Sequence, residues 1–212
     1  MEEQLSNARF IAYHRSQINP EPSPVSTLTF AHGETRYDKM TREMRTDDDV
    51  LREKIVKEVN EDFHQSDKIN FALSSSSLLL ELVRCFRERH DSIRELASRA
   101  LVQISKTEKG RKAMVERKII EEEMQLFNDN VTQIRRNAYV SLINLAEFTF
   151  GVDAVIDANC LPVLVDKLVH EKEEQILVLI LTLIHILCQG EKAPTILLTT
   201  PALHRLNSHL TS

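Results

Sequence analysis

Displacing this chain by 41 residues lays it on itself, and that self-match restricts the possible folds more than any other feature of the sequence. The shift places Ile93 and Arg94 on Ile134 and Arg135, Ala97 on Ala138, Leu101 on Leu142, Gly110 on Gly151 and Ala113 on Ala154. Glu81 and Phe86 fall on Glu122 and Phe127. A second shift carries Leu101 and Leu142 onto Leu183, Ile104 and Leu145 onto Ile186, and Leu79 and Ile120 onto Leu161. A unit this short cannot cover its own apolar face, so copies must stack and share one continuous core. The expected architecture is an all-α solenoid.

Within the unit 78–118 the periodicity predicts three helical pieces. Leu79, Leu82, Val83 and Phe86 make the i, i+3, i+4, i+7 stripe of a helix with one buried face. The polar run Arg89-His90-Asp91-Ser92 interrupts it, with Asp91 or Ser92 placed to cap the next helix. That helix runs from Ile93 to about Ser105 and buries Ile93, Leu96, Ala97, Leu101 and Ile104, small Ala97 and Ala138 allowing close approach. Gly110 is expected to end the segment in the left-handed conformation, before a short helix around 113–116. Units 119–159 and 160–200 repeat the pattern, and 201–212 holds a partial helix with Leu203, Leu206 and Leu210 on one side. Upstream, 46–77 fits a degenerate first repeat or an N-terminal cap, with Asp47-Asp48-Asp49 placed to cap a helix through about Phe63. Residues 1–45 lack the period and contain Pro20, Pro22 and Pro24, which suits a flexible or partner-dependent tail.

Composition agrees with helices: four Gly, six Pro and no Trp, against 42% hydrophobic residues. The net charge of −5 arises from 27 basic and 32 acidic residues, which disfavours nucleic acid as a partner. Cys85, Cys160 and Cys188 lack metal or disulfide spacing and are expected to be reduced and buried. The start Met1-Glu2-Glu3 has no basic segment leading into an apolar run, so an intracellular protein is expected. Ile176 to Cys188 is the most apolar stretch; at about 1.5 Å per residue it spans roughly 20 Å, short of a ~30 Å bilayer core, so it is read as a buried helix and not a membrane span.

The 41-residue, three-helix unit, with Leu161-Pro162-Val163-Leu164-Val165 opening its long helix, resembles the armadillo-repeat family over about 47–210. In that family such helices line a concave groove. The resemblance implies an armadillo/HEAT-like right-handed α-solenoid. Leu51-Arg52-Glu53-Lys54, Gly110-Arg111 and Glu171-Lys172-Glu173-Glu174 are similar, over about 50–200, to the radial spoke head 14 homologs, armadillo-type proteins of motile cilia and flagella. That likeness implies a non-enzymatic component of the radial spoke, with axonemal protein partners and a location in the cytoplasm at the axoneme. The alternative is a cytosolic or nuclear armadillo adaptor that holds extended peptides in its groove. The Trp and Asn ladder with which nuclear-import armadillo proteins hold basic peptides lacks its Trp here.

No nucleophile with a base, Gly-rich phosphate loop or convergent metal ligands can be read from the sequence, so no catalytic, cofactor or metal residue is assigned. Cys160 shares the column of Leu78 and Ile119 and reads as a packed thiol; His185, among Ile184, Ile186 and Leu187, reads as a core or edge histidine. His204 and His209, five apart, do not fit a helical metal pair. Glu121-Glu122-Glu123 reads as a solvated face, and Arg135, repeating Arg94, as one half of a salt bridge between units. Burial of Leu79, Leu82, Val83 and Phe86 leaves Glu81, Arg84 and Glu88 open. The shift maps Arg84 to Gln125 and Asp166, and Glu88 to Asp129 and His170. These six, Arg84, Glu88, Gln125, Asp129, Asp166 and His170, are the candidate protein-binding groove. The apolar 176–187 helix is expected to be incompletely covered at the C-terminal edge and to meet a partner, a second copy or further repeats.

Overall fold

A computed structural model describes residues 35–75 and 77–199; the tail prolines, Leu203, Leu206, Leu210, His204 and His209 lie outside the described residues. Helices α1 (Thr35–Glu43), α2 (Asp49–Asp62), α3 (Ser66–Ser75), α4 (Leu78–Arg84), α5 (Asp91–Ser105), α6 (Glu108–Glu116), α7 (Ile119–Met124), α8 (Thr132–Ala146), α9 (Thr149–Asp157), α10 (Cys160–His170), α11 (Glu174–Leu187) and α12 (Ala193–Thr199) follow in order. Tight single turns, Cys85–Arg87 and Gln125–Asn128, extend α4 and α7. The expected all-α solenoid is what forms. Helices α2, α5, α8 and α11 lie side by side in one row, and α1, α4 and α7 pack alongside one another beside it.

The array starts earlier than the periodicity suggests. Helix α1 packs on α2, α3 and α4 and buries Tyr37, Met40 and Met44, so α1, α2 and α3 make a complete three-helix unit. The region 46–77 is therefore a repeat whose opening helix lies before residue 46. Its sequence hides the period because aromatic and Met residues fill the core where later units use Leu and Ile.

Local chemistry sets the helix ends. Asp48 caps α2 as expected, its Oδ1 accepting from the backbone N–H of Val50 (2.9 Å) and Leu51 (3.1 Å). Asp91 does not cap α5; it lies inside the helix and accepts from Arg94 at 2.8 Å. Gly110 is not a left-handed terminator either. It sits in α6, and a Cβ there would stand 1.9 Å from the carbonyl oxygen of Ile104, as one on Gly151 would from that of Leu145. These glycines let α6 and α9 turn tightly off the ends of α5 and α8. Among the described residues the left-handed non-glycine positions are Lys118 (φ 54°) and Asn159 (φ 58°), directly before α7 and α10.

The unit that begins at Cys160 holds one extra residue. Helices α7 and α10 begin 41 apart, at Ile119 and Cys160, but α8 and α11 begin 42 apart, at Thr132 and Glu174. The buried residues of α11, Ile176, Ile180, Leu183 and Leu187, therefore answer Ile134, Ala138, Ser141 and Leu145. The 41-residue shift that pairs Leu142 with Leu183 is one place out of register there.

A repeated arginine ties the units together. Arg94 donates to both oxygens of Asp129, at 2.7 and 3.2 Å, and to the carbonyl oxygens of Glu88 (2.9 Å) and Arg89 (3.1 Å). Arg135 does the same to Glu171 (3.2 and 3.4 Å) and the carbonyl of Asp129 (2.9 Å). Arg52 pairs with Glu88 at 3.2 Å and donates to the carbonyls of Met44 and Thr46. Burial raises the Asp129 and Glu171 carboxyls, but hydrogen bonds outweigh it and hold both below their usual range: Arg94 and the Val131 N–H for Asp129, the Glu173 and Lys172 N–H groups with Arg135 for Glu171. The expected salt bridge between units is therefore present, at three successive junctions.

Arg94→Ala leaves a largely buried Asp129 unpaired and should lower stability by about 3 kcal/mol in urea denaturation. Lys112→Ala, which breaks an exposed pair with Glu108, should leave stability nearly unchanged. Equal losses would show that the ladder contributes no more than surface charge. Gly110→Ala must displace backbone and should cost about 1–3 kcal/mol, lowering Tm by roughly 3 to 10 °C; an unchanged Tm would show that α6 moves freely on α5.

Candidate functional site

The six groove candidates lie on the α4, α7 and α10 helices and the turns that follow them, not on the row α2, α5, α8, α11. Two serve the stack: Glu88 pairs with Arg52 and Asp129 with Arg94. The extra residue puts Glu171 in the column assigned to His170, so Glu171 receives Arg135. His170 is exposed instead, its Nδ1 2.8 Å from the Asp166 carbonyl. Arg84 is exposed and donates to Glu81 at 2.9 Å. Gln125 is exposed and donates to Glu122 at 3.3 Å. Glu81, expected to be open, is buried and also accepts from Arg45 at 2.9 Å. Arg84, Gln125, Asp166 and His170 thus remain as a polar strip.

The row helices present the more regular polar surface, and they are the longest among the described residues; α10, which opens at Cys160-Leu161, is shorter. Asn137 donates to Ser98 Oγ at 2.9 Å and Asn144 to Ser105 Oγ at 3.0 Å, while Asn60 donates to the Leu96 carbonyl at 2.9 Å. These amides join one row helix to the next. The first two pairs are legible afterwards: Ser98 and Ser105 are seven apart on α5, as are Asn137 and Asn144 on α8. The outward stripe beside them carries Glu53, Lys57 and Glu61 on α2, Glu95, Arg99 and Lys106 on α5, and Arg136, Val140 and Glu147 on α8. On α11 it becomes Gln175, Val178 and Thr182. The stripe is charged at one end of the row and uncharged at the other.

A half-open cleft of about 600 Å³ lies between the α8–α9 and α11–α12 turns, lined by Phe148, Val152, Ile186, Glu147, Asp153 and Lys192. The Arg111 guanidinium lies 3.9 Å over the Phe148 ring at its rim. Among the described residues no three His, Cys, Asp or Glu side chains are grouped to hold a metal ion, and no single helix is long and apolar enough to cross a membrane.

The acidic run 121–123 divides three ways. Glu121 is exposed, Glu122 accepts from Arg87 at 2.6 Å, and Glu123 is 1% exposed in the core. Glu123 does not belong to a solvated face because α7 turns this position inward, where the preceding unit has Leu82. Burial pushes its carboxyl up to about 8, against the pull of the neighbouring Ser141 hydroxyl. Burial also raises the Cys160 thiol, with Glu123 adding to the effect, so Cys160 is a packed and unreactive thiol. Cys85 is buried too, but Cys188 is exposed, contrary to expectation. His185 lies at the exposed edge.

The folded chain holds the Glu123 proton more tightly than the unfolded one, whose value is near 4.5. Its stabilisation is complete below that pH and is lost as pH rises through about 8. Glu123→Gln should therefore flatten the fall in Tm between pH 4.5 and 8. The same alkaline fall in the variant would assign it to another group.

No protein-family model and no curated protein matches the chain. Solved structures do. An engineered protein aligns with TM-score 0.70 at 18% identity, over 83% of this chain and 43% of that one, so this chain spans less than half of its length. A designed armadillo repeat protein aligns with TM-score 0.67 at 17% identity, over 78% of this chain and 70% of the other. Another, solved in complex with the peptide (KR)4, gives TM-score 0.67 at 16% identity over 87% and 82%. Stacked three-helix units, the ladder between them and these alignments together establish an armadillo-like repeat solenoid fold.

Proposed function

We propose that this chain is a non-enzymatic scaffold that binds an extended polypeptide along the outward stripe of α2, α5, α8 and α11. The observation that carries this reading is the row itself. Four helices are held in fixed register by arginines and asparagines, so side chains at equivalent heights form columns at a constant repeat. A rigid surface of that kind suits an extended backbone, because little conformational entropy is lost on the scaffold side when the partner docks. The designed protein of the same fold that holds (KR)4 supports peptide recognition by such a stack. Here Glu53, Lys57, Glu61, Arg99 and Arg136 mix both signs, so the matching partner is a mixed-charge segment with apolar residues where it reaches α11.

The assembly proposed for this scaffold is the radial spoke of motile cilia and flagella, which places the chain in the cytoplasm at the axoneme. Its support is the likeness at 51–54, 110–111 and 171–174. In the structure Arg52, Arg111 and Glu171 are joint residues: Arg52 and Glu171 belong to the ladder, and Arg111 donates to the carbonyl oxygens of Ser105 and Lys106 at 3.1 Å. The likeness thus lies in how the units are joined. The same outward stripe would equally serve an adaptor in the cytosol or nucleus.

Proximity labelling from the tagged chain in multiciliated cells should enrich radial spoke and other axonemal proteins, and Arg99→Glu with Arg136→Glu should abolish that enrichment while leaving the fold intact by circular dichroism. Enrichment of soluble transport or signalling proteins would overturn the ciliary assignment. Enrichment that survives the double change but is lost with Arg84→Glu and Gln125→Glu would move the binding face to the α4 and α7 strip.

A further inference from the structure

The cleft between the α8–α9 and α11–α12 turns has a counterpart one unit earlier, where the chain places two large side chains of its own. There Arg111 of α6 donates to the last carbonyls of α5, those of Ser105 and Lys106, both at 3.1 Å. Its guanidinium lies 3.9 Å over the Phe148 ring of the following turn. Advancing Arg111 by 41 residues gives Val152, and advancing Phe148 by the 42 that hold for α11 gives Gly190. These two meet as well: a Cβ on Gly190 would stand 2.9 Å from a Val152 methyl. The later junction therefore keeps the contact but builds it from two small residues, and the cleft of about 600 Å³ opens at that place.

The acceptors that Arg111 serves recur there without their donor. The last carbonyls of a helix have no partner within it. Those of Ser105 and Lys106 receive a guanidinium, whereas the equivalent residues Ala146 and Glu147 border the cleft, and Val152 carries no side-chain N–H. Phe148 is 42% exposed and lines the same space, offering a ring of the kind that attracts cations. The exposed carboxylates of Glu147, Asp153 and Glu191 stand around it, and the cation of this lining, Lys192, is engaged with Asp157 at 2.8 Å. Adjacent carbonyls, an aromatic ring and carboxylates suit a planar guanidinium, which can fork and stack, better than an ammonium.

We infer that this cleft takes an arginine side chain from the bound partner, its guanidinium lying on the C-terminal end of α8 as Arg111 lies on that of α5. Glu147 joins the cleft to the outward stripe, so the inference deepens the scaffold reading and rests on it for the partner being a polypeptide.

Titration of N-acetyl-arginine amide into the isotope-labelled 212-residue chain, followed by backbone amide NMR signals, tests it. Saturable shifts are expected at 147–153 and 189–192. The citrulline analogue, which has the shape without the charge, should cause none, and the lysine analogue should bind at least about fivefold more weakly. Glu147→Gln with Asp153→Asn, both at exposed positions, should weaken arginine amide binding at least about tenfold. Val152→Arg supplies the guanidinium from within and should abolish binding; if it does not fold, the exposed pair of changes decides. Absence of shifts, shifts outside the cleft, or equal binding of the citrulline or lysine analogue overturns the inference. Binding that appears only with Arg205→Ala also overturns it, because this chain's own arginine then takes the cleft. The two readings fail separately. Arg99→Glu with Arg136→Glu should leave probe binding intact, and partner labelling that depends on those arginines in a chain that does not bind the probe would keep the scaffold and remove the arginine site.

Discussion

The stack depends on an arginine that bonds in two directions. Arg94 anchors the turn before its own helix through the carbonyls of Glu88 and Arg89 and reaches forward to the Asp129 carboxylate of the next unit. Apolar burial between helices is strong but has little directional preference, and on its own it allows neighbouring units to slide. A bidentate guanidinium–carboxylate pair accepts only a narrow range of distance and angle. Repeating it at Arg94 and Arg135, after a single Arg52–Glu88 contact at the first junction, fixes each unit's rotation on the one before. The α11 position of this column is apolar, so the ladder stops where the charged face of the row stops.

That fixed register explains how one extra residue is tolerated. The insertion falls between the start of α10 and the start of α11, in the turn that carries Glu171. Glu171 has a longer side chain than Asp129 and accepts from the N–H groups of Lys172 and Glu173 while receiving Arg135. The bridge is preserved and the displacement is passed to α11, whose core residues move to a 42-residue spacing. His170 is turned out to solvent as a result, although the shorter spacing placed it beside Asp129.

Buried polar groups in this core divide by whether a partner exists. Asn137 and Asn144 are satisfied across a junction, and they add direction to an otherwise apolar contact. Glu123 is different: its Oε2, the Ser141 hydroxyl and the Tyr139 hydroxyl are buried without a well-placed hydrogen-bond partner. A carboxyl there is tolerable because it is held neutral, so the penalty is that of a buried polar group and not of a buried charge. Tyr139 is compensated in part by its parallel stacking on Phe127, with ring centroids 4.3 Å apart.

The sequence alone determined that the chain is a stack of three-helix units, that the run Asp47-Asp48-Asp49 caps the helix ending near Phe63, and that Arg94 and Arg135 bridge neighbours. These follow from local spacing, because a helix places i, i+3, i+4 and i+7 on one face and identical units must pack in identical ways. The first unit escaped because Tyr37, Met40 and Met44 fill its core without matching the Leu and Ile columns. Of the candidate site, Arg84, Gln125 and His170 were legible as exposed, and Asp166 is half-buried. That Glu88 and Asp129 are consumed by the ladder, that Glu81 and Glu123 point inward, and that the row helices carry the regular polar face were decided only in three dimensions. A charged residue's spacing along one helix shows which side it occupies, but whether that side meets water or an arginine some 35 residues away depends on how the units are rotated on one another.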